Sequence, residues 1–134
     1  MKVERLDHYT IRTTPTDLDR VRAFYVDVLG LHAGPRPPFR FDGYWLYADD
    51  LHPIVHLAVL DPEGGGPIGD ALKTGKFDHV SFRTSGLAAT RQTLRRHGIA
   101  WDERPVPGFP LHQLFIRDPA GIKVELTFDA AELE

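Results

Sequence analysis

Polar and apolar residues alternate along several short stretches of this chain, and each such stretch predicts a half-buried strand. His8, Thr10 and Arg12 fall on one face of the first, with Tyr9 and Ile11 on the other. The same alternation separates His79, Ser81 and Arg83 from Val80 and Phe82, and Lys123, Glu125 and Thr127 from Val124, Leu126 and Phe128. The stretch around His56 is apolar on both sides, as in a strand that sits deeper. Leu18, Val21, Phe24, Tyr25 and Val28 recur at three- and four-residue spacing, which predicts an amphipathic helix over about 17–29. A second helix is predicted over about 87–97. Each helix ends at a glycine followed by an aliphatic residue, Gly30-Leu31 and Gly98-Ile99, the pattern of a left-handed cap.

These elements occur twice in the same order. Leu6-Asp7-His8-Tyr9-Thr10-Ile11-Arg12-Thr13 returns as Phe77-Asp78-His79-Val80-Ser81-Phe82-Arg83-Thr84, with four of the eight positions identical. Each copy closes on a matching strand, Val55-His56-Leu57-Ala58-Val59 and Val124-Glu125-Leu126-Thr127-Phe128. His8 to His56 spans 48 residues and His79 to Glu125 spans 46, so the copies stay in register almost end to end. The reading of each copy is strand, helix, three strands: near 3–12, 31–35, 43–49 and 54–60 in the first, and near 77–84, 99–104, 111–117 and 122–128 in the second. Asp61 to Pro67, rich in glycine and proline, reads as the loop between them. The expected architecture is one α+β domain over 1–134, with module one at about 3–61 and module two at about 75–129.

Composition narrows the function classes. An apolar share of 42% and a charged share of 26% are those of a globular protein with a useful core. The absence of cysteine excludes disulfides, zinc–thiolate sites and thiol nucleophiles. A net charge of -3 and the lack of any basic stripe argue against nucleic acid as a partner. No apolar run reaches transmembrane length and the N-terminus lacks a signal-peptide pattern, so the expected location is cytoplasmic, with no membrane partner.

The histidines carry the chemistry. Two histidines at equivalent positions of a repeat, on polar faces, are unlike independent structural histidines. With Glu125 they give two imidazoles and one carboxylate, the donor set of non-haem iron(II) and related divalent ions. Such an ion acts as a Lewis acid on a substrate carbonyl or enediolate. His56 stands where Glu125 stands in the other copy and reads as a fourth ligand or as an acid or base. By alternation, one of His112 and Gln113 faces the ligand side; His112 is a candidate acid or base, and Gln113 a candidate pocket residue. Trp45, matched with Gln113 in the repeat, is a candidate pocket wall. Arg12 and Arg83 share the ligand face, either to hold a substrate anion or to form ordinary ion pairs. His32 and His97, beside helix C-termini, and His52, in an Asp-rich turn, read as structural.

The doubled pattern resembles the vicinal oxygen chelate superfamily, which includes glyoxalase I, extradiol dioxygenases and the fosfomycin- and bleomycin-resistance proteins. The resemblance spans residues 3 to 129. It rests on Leu6-Asp7-His8, Phe24-Tyr25-Val26-Asp27-Val28-Leu29-Gly30-Leu31, Phe77-Asp78-His79 and Asp118-Pro119-Ala120-Gly121-Ile122-Lys123-Val124-Glu125-Leu126. It implies two tandem βαβββ modules forming a curved mixed sheet around a metal site. The implied ligands are His8, His56, His79 and Glu125, around one divalent ion (iron, manganese, zinc, nickel or cobalt). It also implies a small oxygenated substrate and a homodimer. The ligand types fit a dioxygenase and the chain length fits a glyoxalase-type lyase or isomerase. A histidine at 56 departs from glyoxalase I, where a glutamate helps move the substrate proton. A metal-free, drug-sequestering protein of the bleomycin-resistance kind is the alternative outside catalysis.

Overall fold

The computed structural model describes residues 1–2, 4–61, 63 and 77–134. The chain divides into two compact units, Met1–Gly66 and Pro67–Glu134. The loop expected at 61–67 lies outside the described residues except for Asp61 and Glu63, as does Val3 in the first expected strand.

The first unit runs β1 (Tyr9–Thr13), α1 (Leu18–Ala23), β2 (His32–Gly34), β3 (Gly43–Tyr47) and β4 (Pro53–Val59). The second runs β5 (Val80–Arg83), α2 (Leu87–Arg96), β6 (Asp102–Pro105), β7 (Leu111–Arg117) and β8 (Lys123–Asp129), and ends in a short 3-10 turn, Ala130–Leu133. Each unit is thus βαβββ, and each forms its own four-stranded mixed sheet, ordered β1-β4-β3-β2 and β5-β8-β7-β6. The first and last strands of each unit pair in parallel, and the hairpins pair antiparallel. A parallel neighbour requires a crossover, which the helix supplies.

The burial pattern follows the alternation in the sequence. Val80, Leu114, Ile116, Val124, Leu126 and Phe128 are buried with Leu87 and Leu94 of α2. In the first unit Leu46, Val55 and Leu57 are buried with Val21 and Tyr25. The first helix departs from the expected continuous α-helix. After Ala23 it widens into a π turn over Phe24–Val28, where the Leu29 amide donates to the Phe24 carbonyl (3.3 Å). The wider turn lets the adjacent Phe24 and Tyr25 both reach the core, at 6% and 0% exposure. Gly30 and Gly98 hold the expected left-handed conformation, φ 75° and 65°. Gly43 is needed for a different reason, because a Cβ there would collide with the Leu57 carbonyl oxygen. The N-terminus of α2 has no local side-chain cap. Glu132, from the 3-10 turn, accepts from the Gly86 and Leu87 amides instead (2.7 and 2.8 Å).

Candidate metal centre

In the second unit the register sets Ser81 opposite Glu125, and Gln113 opposite Thr127. Residues paired across a ladder share a face, so all four stand together. Glu125 is only 7% exposed, and a buried carboxylate needs donors. It has three on one oxygen: Ser81 Oγ (2.7 Å), Gln113 Nε2 (2.8 Å) and Thr127 Oγ1 (2.9 Å) all donate to Oε1. The other oxygen, Oε2, lies 3.2 Å from His79 Nε2. Two ligands bound at about 2.1 Å to one ion, near a right angle, stand about 3 Å apart. The pair therefore fits a shared divalent ion. His79 Nδ1 is held at 2.7 Å by Asp78 Oδ2, and Lys123 Nζ lies 3.3 Å from the same oxygen. Because the carboxylate accepts, Nδ1 carries a proton, and the neutral ring then offers Nε2 as the lone pair an ion takes. The bond to His79 and then Lys123 hold the Asp78 carboxyl below the ordinary value.

The first unit repeats half of this arrangement. His8 Nδ1 lies 2.7 Å from Asp7 Oδ1, again leaving Nε2 as a lone pair. Hydrogen bonding to His8 lowers the Asp7 pKa. At the position of Glu125 stands His56, between two rings. His8 stacks on it at 3.8 Å and 13°, and Trp45 at 4.2 Å and 11°. His56 Nε2 lies 3.1 Å from the Pro53 carbonyl, which can only accept, so Nε2 bears the hydrogen and Nδ1 the lone pair. Burial, then the neighbouring His8, lower the pKa of His56. Nearly parallel rings 3.8 Å apart cannot both point their in-plane lone pairs at one ion, so this stack suits His8 as ligand with His56 beside it.

The remaining candidates separate. Gln113, not His112, faces Glu125. His112 lies on the opposite, core side of β7, 7% exposed, with Nε2 3.7 Å from Glu103 Oε2. Its expected place beside the ligands is thus corrected by the strand's alternation. Trp45 pairs with His56 and Phe115 pairs with Glu125, so the repeat partner of Trp45 is Phe115, not Gln113. The hairpin that joins Asp102 to its partner Phe115 is two residues longer than the one that joins Gly34 to Trp45, and this shifts the match by two. Arg12 is taken up by Asp61 (2.7 Å), whereas Arg83 has no ion-pair partner among the described residues. Of the histidines read as structural, His52 pairs with Asp49 (2.9 Å) and His32 lies 3.7 Å from Asp50. Among the described residues no three metal-ligating side chains form one cluster; they come as pairs within each unit. Asp7, Asp78, Ser81 and Thr127 were not expected as site residues. For the two aspartates the signal was present, since Asp-His is the invariant core of the repeat.

A duplicated βαβββ chain with an aspartate-buttressed histidine at the start of each copy defines a class of protein. The chain belongs to the Glyoxalase/Bleomycin resistance protein/Dioxygenase superfamily, whose family model matches residues 5–126. It is 29% identical over 112 residues to "Glyoxylase I 4" of Arabidopsis thaliana, covering 81% of this chain but 63% of that protein. It is 26% identical over 132 residues to "Probable lactoylglutathione lyase" of Vibrio cholerae, covering 94% of this chain and 91% of that one. The fold matches a glyoxylase/bleomycin resistance protein/dioxygenase domain from Frankia sp. EAN1pec, with a TM-score of 0.71, 21% identity, and coverage of 96% and 99%. No helix among the described residues is long and apolar enough to cross a membrane.

Proposed function

We propose that this protein is a metal-dependent enzyme that moves a proton on a small oxygenated organic substrate, a lyase or isomerase of the glyoxalase type. The observation that carries the reading is the Glu125 carboxylate, with one oxygen saturated by three donors and the other turned to His79 Nε2. A buried anion fixed in this way beside an imidazole lone pair is an arrangement that a divalent cation completes. His79 and Glu125 are the ligands of the second unit and His8 that of the first, and the homodimer is the working unit. The ion, when bound, polarises a substrate carbonyl and acidifies the neighbouring carbon.

The chain's own residues do the rest. Asp7 and Asp78 fix the tautomers of His8 and His79. His56 is the base: its Nε2 hydrogen is tied to Pro53, and its Nδ1 lone pair is free to take the proton. Trp45 keeps the ring in place. The names of the two relatives above support a lyase over a dioxygenase, although the ligand types alone suit both.

The test compares His8→Gln with His56→Gln. Metal content is measured first, then solvent-deuterium incorporation into thiol–ketoaldehyde adducts and epimerisable acids. His8→Gln loses the metal. His56→Gln keeps it and loses deuterium incorporation. Loss of metal in His56→Gln, with retention in His8→Gln, would reverse the two roles and refute the reading.

A further inference from the structure

We propose that a row of residues crossing the second unit's sheet binds an oxyanion, so that the substrate is a small carboxylate or phosphonate. The proposal rests on the reading above and deepens it by giving the substrate its charge.

The row is set by strand register. Arg83 lies opposite Thr127, Thr127 opposite Gln113, and Gln113 opposite Arg104. All four share the face that carries Glu125. The two inner members use their donors on Glu125 Oε1. The two outer members are guanidiniums, and neither meets a carboxylate among the described residues. The other cations on this face are engaged: Lys123 pairs with Asp78, and Arg117 donates to the Gly121 carbonyl. Arg104 stands 4.3 Å over the ring of Phe115, the residue paired with Glu125. A cation–π contact fixes the plane of a guanidinium without neutralising it, and it leaves the in-plane N–H fork open. That fork matches the two oxygens of a carboxylate or phosphonate. Strands about 4.8 Å apart put the two arginine backbones about 14 Å from each other, three strand steps, a gap that two long side chains close over a small anion. Once an ion neutralises Glu125, the face is positive at both ends of the row and attracts an anionic substrate.

The test is calorimetric titration of the protein as purified, and of the same protein loaded with one equivalent of a divalent ion, at low salt with benzoate, methylphosphonate and the neutral isostere benzamide. Metal uptake is titrated separately on the same preparations. Wild type is expected to bind benzoate or methylphosphonate, and which of them it prefers separates the two oxyanion chemistries. Arg83→Gln and Arg104→Gln each weaken that binding at least tenfold, while Arg20→Gln, on the helix surface, leaves it unchanged. Both site variants take up metal as wild type does. Equal affinity for benzamide, undiminished anion binding in both site variants, or no anion binding at all would overturn the proposal. A wild type that binds the anion through these arginines but takes up no metal would instead defeat the metal-enzyme reading and leave the anion row standing.

Discussion

Replacing Thr127 with valine removes one of the three donors on Glu125 Oε1 while keeping the shape of the side chain. Thr127 and Glu125 are 9% and 7% exposed, so water cannot take the hydroxyl's place. A hydrogen bond to a charged group contributes about 1.5–3 kcal/mol net. The added methyl returns about 0.8 kcal/mol through burial. Ser81 and Gln113 still donate to the same oxygen. The balance is a loss of about 1–2 kcal/mol in metal-free protein, read by urea denaturation at neutral pH. The mechanism is isolated by a double-mutant cycle. In a Glu125→Leu background the hydroxyl keeps only Ser81 Oγ (3.2 Å), so Thr127→Val should cost less there, giving a coupling of about 1 kcal/mol. An equal cost in both backgrounds would refute the three-donor account and reduce Thr127 to a packing residue.

Four further outcomes are expected. Asp78→Ala weakens metal binding about 10–100-fold, as losses of such buttressing carboxylates do, and lowers the unfolding midpoint only slightly; calorimetric metal titration checks it. Gly43→Ala drives a Cβ onto the Leu57 carbonyl oxygen and destabilises by about 3 kcal/mol, seen in chemical denaturation. Glu132→Ala uncaps α2 and costs about 1 kcal/mol, visible as faster amide exchange at Gly86 and Leu87. Asp49 titrates at about 2, below the ordinary 3.8, because the His52 side chain and then the Leu51 and His52 amides bond its charged form. Its stabilising effect is therefore present above 3.8 and disappears as the pH falls through about 2. A carboxyl resonance titrating near 3.8 would contradict this.

Much of the architecture was legible because a strand's period of two and a helix's period near 3.6 are imposed by backbone geometry. The duplication then cross-checked each element: β7 was expected at 111–117 and is found there. His79 and Glu125 could be brought to one face from alternation alone. What remained hidden was set by register and packing. The hairpin loop before β7 is two residues longer than the one before β3, and periodicity does not fix loop length, so Trp45 was matched to Gln113 instead of Phe115. Alternation required that one of His112 and Gln113 face Glu125 but did not fix which, because that depends on where β7 pairs with β8. The π turn at Phe24 was also invisible, since an apolar pair such as Phe24-Tyr25 satisfies a regular helical stripe equally well. The roles of Ser81 and Thr127 depend on hydroxyl direction, which composition does not specify.

The central claim, that His79 and Glu125 hold a catalytic divalent ion, is tested most directly by elemental analysis. Wild type, His79→Ala and Glu125→Ala are purified without chelator or nickel resin and measured side by side. The account predicts close to one equivalent of a single transition metal per chain in wild type, lost in both variants while the fold persists. A wild type that carries no metal and takes none up on reconstitution, or variants that keep the full equivalent, would contradict it.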